Sequence, residues 1–308
     1  MTIDELNTYV ETGDIDEFIR VSEARQHKAL SRIADDITGR GGVRIVLLAG
    51  GSSAGKTTTA KRLCTQIRVN NLCACHLSTD DYFVGDARNP RDENGELDYE
   101  TIEAVDMKRL AKDLKALMRG RKIHARKFDF IEHDGYDDPE ETSLPKGGII
   151  VLEGLHALNP RLTESIDDGV KYRLFIEPKT QPEVFATTCL PSTEARFLRR
   201  LVRDHQFRKM SPADTFRLWP KVLEGEKKWI DPFRSLATCE FDSSLAYELA
   251  VIKPYVAGLI TRYLFKHPGD VRAQMFVNLL SCVRETSPML VPGDSILRET
   301  IGGSLLEY

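Results

Sequence analysis

The chain is predicted to be an α/β protein, a mostly parallel sheet with helices on both faces. Three observations predict it. From residue 43 onward, short apolar runs alternate with longer amphipathic segments. The first run, Val43-Arg44-Ile45-Val46-Leu47-Leu48, leads directly into the glycine-rich stretch Gly50-Gly51-Ser52-Ser53-Ala54-Gly55-Lys56-Thr57. The segment after it, Thr57 to Val69, carries Ala60, Leu63, Cys64 and Ile67 on one helical face.

Taken in order, residues 1–40 read as helical, with Ser22 able to cap a helix that runs to Arg40 and stops at Gly41-Gly42. Strands are expected at 43–49, 72–78, 149–153 and 171–176, with a less apolar fifth at 237–242. Helices are expected at 56–69, 104–119, 193–209, 212–229 and 244–265. Residues 244–285 as a whole read as two helices. Ser211-Pro212-Ala213-Asp214 is a helix start with proline at the first position, and Trp219-Pro220 should kink or break that helix. The acidic stretch Glu132 to Glu141 reads as a mobile loop, and the tail from Val291 shows no periodicity.

The glycine-rich stretch fits G-x-x-x-x-G-K-[ST]. Glycines let the backbone curl so that its N–H groups face an anion, and the following helix adds the positive end of its dipole. Gly50, Gly51, Ser52, Ser53, Ala54, Gly55, Lys56, Thr57 and Thr58 are therefore the nucleotide-binding candidates. Lys56 would reach the β- and γ-phosphates, and the Thr57 hydroxyl would sit on a magnesium ion. A strand running into this loop and a helix leaving it is the context that supports the motif.

In parallel sheets ligands bind beyond the carboxyl ends of strands, so the chemistry should follow residues 49, 78 and 153. After 78 come Asp80 and Asp81, either of which could take a proton from an attacking hydroxyl or simply cap a turn. The apolar run Ile149-Ile150-Val151-Leu152 ends in Glu153, an acid placed to hold the metal. Arg196, Arg200 and Arg203 share one face of a helix whose other face is Phe197, Leu198, Leu201 and Val202, with Arg208 just beyond. Such a stripe is either a solvated face or a lid that neutralises phosphate.

The 308 residues carry 41% apolar and 29% charged side chains and a net charge of −4. That charge argues against a general nucleic-acid or membrane-surface binder. No apolar run is long enough to span a bilayer, and the acidic Met1 to Leu6 lacks a signal-peptide layout. The six cysteines are scattered, which suggests a reducing cytoplasm. Cys73 and Cys75, with His76 beside them, read either as a metal site or, more simply, as one face of a buried strand.

Five stretches together resemble the uridine kinase and phosphoribulokinase family of P-loop kinases. They are Gly50–Thr58, Leu77-Ser78-Thr79-Asp80, Phe128-Asp129-Phe130-Ile131-Glu132-His133, Leu152-Glu153-Gly154 and Arg196–Asp204. The chain is also similar to the bacterial-type uridine-kinase-like group, often fused to a threonyl-tRNA-synthetase-like N-terminal region. That similarity lies at Ile19 to Ala24, Glu153 to Pro160, and Ser295 to Glu299 through Gly302-Gly303. The resemblance implies a three-layer α/β/α P-loop NTPase sandwich with N- and C-terminal helical extensions. It implies a helical segment at 1–40, a kinase domain at 41–265 with a lid around 193–212, and a C-terminal helix and tail at 266–308. It implies ATP- and magnesium-dependent phosphorylation of a nucleoside 5′-hydroxyl. Asp80 would be the base, Lys56, Arg196, Arg203 and Arg208 would surround the phosphates, and Thr57 and Glu153 would hold the metal. Asp98 would bind the ribose, and Phe128 and His133 the base. Two departures stand out. Phe207-Arg208-Lys209-Met210 replaces the E-R-G-R of uridine kinases, removing an arginine that contacts the base. The stretch before the phosphate loop is also too short for the synthetase-like region. Other readings are a kinase of a sugar or sugar phosphate, and a regulatory ATPase with no small-molecule acceptor. A cytoplasmic enzyme is expected, acting on a small molecule rather than nucleic acid or membrane, and compatible with a homo-oligomer.

Overall fold

The computed structural model describes residues 1–180, 182–185 and 188–307. It begins with two helices, α1 (Ile3–Thr12) and α2 (Ile15–Gly39). Ser22 lies inside α2 rather than at its start, and its hydroxyl donates to the Phe18 carbonyl. The expected cap is thus corrected. The buried stripe already includes Ile15 and Ile19, so burial of that face carries the helix upstream past Ser22.

Strand β1 (Ile45–Ala49) is followed by the glycine-rich loop and α3 (Lys56–Val69), then β2 (Ala74–Ser78). Cys73 precedes β2 and is exposed, while Cys75 is half-buried within it, so the pair does not form one buried face. Helix α4 (Met107–Met118) starts at Asp106, whose side chain accepts from the Arg109 N–H. Then come β3 (Ile123–Asp129) and β4 (Asp134–Thr142), which pair as an antiparallel hairpin. The acidic stretch expected to be a mobile loop is therefore mostly a strand. Its side chains give no apolar alternation because none of them is buried. Backbone pairing holds it instead, with Arg109 Nη2 3.2 Å from Asp137 and Lys122 Nζ 2.7 Å from Glu141.

The chain continues through β5 (Ile149–Glu153), β6 (Lys171–Glu177) and the small pair β7 (Glu183–Phe185) and β8 (Thr188–Cys189). Helices α5 (Ser192–Phe207) and α6 (Pro212–Trp229) follow, then β9 (Cys239–Asp242), α7 (Glu248–Lys266), α8 (Val271–Ser281) and the short α9 (Arg298–Ile301). Helix α6 opens with a capping box between Ser211 and Asp214 and runs through Pro220 without a break. Its buried Phe216, Trp219 and Val222 flank the proline, and their packing offsets the lost hydrogen bond.

The main sheet is entirely parallel, in the order β2-β5-β1-β6-β9. Alternate side chains of β1 enter different cores. Val46 and Leu48 pack with α2, α3 and α7, and Ile45 and Leu47 pack with α4. Those two cores make the molecule a three-layer α/β/α sandwich of the P-loop NTPase type, with helices added at both ends. Strands β5 and β6 flank β1 on opposite sides, so the chain order reverses at its carboxyl end. A crevice opens at such a point. Among the described residues no helix is long and apolar enough to cross a membrane.

Candidate functional site

The glycine-rich loop occupies that crevice. Gly55 has φ +89° and Ser53 φ +58°, so the loop uses left-handed backbone twice within three residues. Gly50 lies so close to β6 that a Cβ would strike the Ile176 carbonyl. The Lys56 Nζ donates to the Gly51 carbonyl at 3.1 Å, curled back over the loop it serves.

Thr57 and Glu153, expected to share a metal, come together across the sheet. The Thr57 hydroxyl donates to Glu153 Oε1 at 3.0 Å, and His76 Nε2 on β2 stands 3.7 Å from the same oxygen. Burial pushes the Glu153 carboxyl up, but His76, Lys56 and Ser78 outweigh it and hold it below the usual range. Glu153 is 2% exposed, and its Oε2 has no hydrogen-bond partner among the described residues. An ionised buried carboxylate with an idle oxygen, next to a hydroxyl, suits a hard divalent cation such as magnesium.

Asp80 follows β2 at the same edge, its N–H donating to the Ser78 hydroxyl at 3.3 Å. Burial first, then the Glu153 charge, push its carboxyl up to about 6, against the pull of Lys56 and Arg208. A raised native value means that charging Asp80 costs stability as pH rises from about 4 to about 6. Carboxyls raised in this way cluster at functional sites. Asp81 is raised by burial too, but Lys127 Nζ stands 3.6 Å from it and occupies it.

The expected lid arginines divide. Arg203 and Arg200 both bond Asp204, at 2.9 and 3.0 Å, and Arg208 stands 3.9 Å from it. Three guanidiniums thus share one fully buried carboxylate, and Glu299 and Asp80 also act on Arg203. Arg208 lies 4.5 Å over the Phe130 ring, its guanidinium lowered to about 9 by burial and then by Arg203. Arg196 is different. It is 4% exposed, bonds Glu226 in bidentate fashion at 2.6 and 2.8 Å, and donates to the Ser52 carbonyl at 3.1 Å. Glu226 in turn accepts from the Ser52 N–H at 2.9 Å. The pair therefore braces the loop backbone from outside.

On β3, Phe128 is buried in an aromatic group with Phe83 and Tyr99, ring centroids 5.5 and 6.3 Å away. His133 sits in the hairpin turn at φ +53°, 3.6 Å from Asp86 and 6.1 Å from the Tyr99 ring. Asp98 accepts from the Glu100 N–H at 3.0 Å and so shapes its own turn. The acid that reaches the crevice from this turn is Glu100. Burial chiefly raises it to about 7, and its charged neighbours are Arg200, Glu226, Asp98 and Asp80. Glu100 was not singled out in the sequence, though its place just after Asp98-Tyr99 was the available signal. His76 was read only with Cys73 and Cys75, and Glu226 and Asp204 were missed. So was His156, a buried imidazole lowered to about 4 by burial and then by Lys56. Nothing local marks these residues, because their partners lie on other elements.

Comparison with known proteins points to one family. The model of the Phosphoribulokinase / Uridine kinase family matches residues 45–244. A uridine kinase from Deinococcus deserti is 29% identical over 168 residues, covering 54% of this chain and 72% of its own. One from Ligilactobacillus salivarius is 28% identical over 196 residues, covering 61% and 82%. A solved structure of a possible uridine kinase from Bacillus stearothermophilus covers 71% of this chain and all of its own, at 16% identity and a TM-score of 0.47. Since the family model spans well over half of the chain, from β1 through Glu153 and the arginine helix to β9, this protein belongs to the Phosphoribulokinase / Uridine kinase family and is a small-molecule kinase.

Proposed function

We propose that the protein transfers the γ-phosphoryl group of ATP to the 5′-hydroxyl of a nucleoside. The observation that carries this reading is Asp80, a carboxyl raised to about 6 beside Lys56 and the Thr57–Glu153 pair. Its place fits a base that takes the acceptor's proton as the hydroxyl oxygen bonds phosphorus and ADP leaves. Lys56, Arg203 and Arg208 would meet the charge that spreads over the transferring group. Thr57 and Glu153 would hold magnesium, which would supply positive charge against the phosphates. Arg196 is then a positioning residue, acting through the loop it braces. Residues 41–265 form the kinase unit in this reading, with 193–212 as its lid. Phe128 and His133 would meet the base, and Asp98, with Glu100 beside it, the ribose. The uridine kinases among its relatives support a nucleoside acceptor.

A second reading has one specific observation in its favour. The three guanidiniums on Asp204 suit an acceptor that itself carries phosphate, such as a sugar phosphate. ADP release measured over a panel of nucleosides, sugars and sugar phosphates separates the two. Stimulation by a nucleoside alone supports the first, and stimulation by a sugar phosphate alone replaces it.

Two predictions follow from the site. The base must be ionised, so kcat/KM should hold above about pH 6 and fall about tenfold per unit below it. A flat profile down to pH 5 would remove Asp80 from that role. Glu153→Gln should raise the magnesium concentration for half-maximal rate by about 10- to 100-fold, while metal-free ATP binding changes little. An unchanged magnesium requirement would take Glu153 out of the metal site.

A further inference from the structure

Two arginines of α5 reach the backbone of the glycine-rich loop from outside. Arg196 donates to the Ser52 carbonyl. Arg199, further along the same helix, is 1% exposed and donates from Nη1 to the Ser53 carbonyl at 3.4 Å. Its other donors are committed. Nε and Nη2 fork onto Glu248 at 2.5 and 2.6 Å, and Nη2 also donates to the Ser243 carbonyl at 3.1 Å. Burial acts against the charge of Arg199, but the buried Glu248 more than offsets it, and the guanidinium is raised. Glu248 opens α7 and lies beyond residue 244, where the family match ends. Residues 291–301 close in beside it. A Cβ on Gly55 would strike the Ile296 Cγ2, and the Thr58 hydroxyl donates to Glu299 Oε2 at 3.2 Å.

Ser53 has φ +58°, a left-handed backbone that is unfavourable for a residue with a Cβ. Asn and Asp can hold such a backbone with a local side-chain hydrogen bond. Ser53 does not, since its hydroxyl is buried and has no hydrogen-bond partner among the described residues. The conformation is held at its carbonyl instead. A trans peptide points its C=O and the following N–H in opposite directions. With the Ser52 carbonyl turned out to Arg196 and the Ser53 carbonyl turned out to Arg199, the N–H groups of Ser53 and Ala54 turn inward. The Ala54 N–H donates to the Gly51 carbonyl at 3.2 Å, the same oxygen that accepts from Lys56 Nζ. It therefore faces the side of the loop that the lysine serves, where an anion would meet it.

We propose that Arg199, anchored by Glu248, is a positioning residue that sets the Ser53–Ala54 peptide so that its N–H meets the phosphate donor. It acts through the backbone and touches no substrate. Donor affinity then depends on a carboxylate supplied from beyond the family match. The inference rests on the reading of the loop as the donor site.

The test is binding of inorganic tripolyphosphate and ATP to the full chain, for wild type, Arg199→Lys, and Arg199→Met combined with Glu248→Met. Lysine keeps a charge for Glu248 but lacks the fork that also reaches the Ser53 carbonyl. The double variant removes both buried charges together, which spares the fold. Each folded variant should bind both ligands about tenfold more weakly, the loss expected for one hydrogen bond to a charged group. The double variant should do so while unfolding near the wild-type temperature. In wild type, tripolyphosphate should shift the amide resonance of Ala54, and in the variants that shift should shrink while the one at Thr57 persists. A folded variant with wild-type tripolyphosphate affinity overturns the proposal and leaves Arg199 a tie between α5 and α7. Tripolyphosphate that fails to bind wild type would instead overturn the loop as donor site. If neither variant folds, the wild-type spectrum decides, and an Ala54 amide that bound tripolyphosphate leaves unmoved overturns the proposal.

Discussion

Asp80→Asn is expected to lower kcat by about 10²- to 10⁴-fold while ATP binds almost as before. The substitution keeps the shape of the side chain and its place after β2, and removes only the ability to accept a proton. The carboxyl is held near 6 by burial and by Glu153, close enough to the working pH to take a proton and give it up again. Neutralising it also removes one negative charge from a site meant for a polyanion, so donor affinity should rise slightly if it moves at all. Single-turnover kinetics with saturating nucleotide and acceptor would separate the two effects. A variant with wild-type kcat would pass the base to another group, and Glu100, raised to about 7 in the same crevice, would be the first to examine.

Glu226→Ala is expected to be the most damaging change to the fold around the loop. It strips Arg196 of its bidentate partner inside a site where Arg196 is 4% exposed, and frees the Ser52 N–H. Breaking a buried pair by removing one side costs about 3–5 kcal/mol, because the remaining charge stays buried and unpaired. Replacing both partners is milder, so Arg196→Met combined with Glu226→Ala should recover most of the lost stability. It should not recover ATP affinity, since neither substitute can hold the Ser52 backbone. Thermal unfolding and nucleotide titration on the two single variants and the double one would read both quantities. Near wild-type stability for Glu226→Ala would mean the pair is not the brace described here.

The two predictions differ in how they could be found. Asp80 was visible in the chain because it follows an apolar strand run, and position after a strand is a local property. Glu226 was not visible. It sits among the charged residues of α6, and only the packing of α6 against the loop sets it apart. Arg196 shows the same contrast. Its helical spacing placed it on one face with Arg200 and Arg203, yet its guanidinium turns to Glu226 while theirs turn to Asp204. The β3–β4 hairpin escaped notice for a related reason. Its second strand is charged on both faces, so it is held by backbone pairing rather than by a buried side, and pairing leaves no periodic trace.

By itself the sequence determined the parallel α/β sandwich, the glycine-rich loop after β1, and the acids just after β2 and at the end of β5. Each depends on short-range features: apolar runs, glycines that permit left-handed backbone, and spacing along a single element. Only the tertiary structure decided which charges pair, which carboxyl is raised, and that residues 291–301 close over the loop. Those outcomes depend on burial and on distances between groups remote in the chain, and a pattern read along one dimension carries neither.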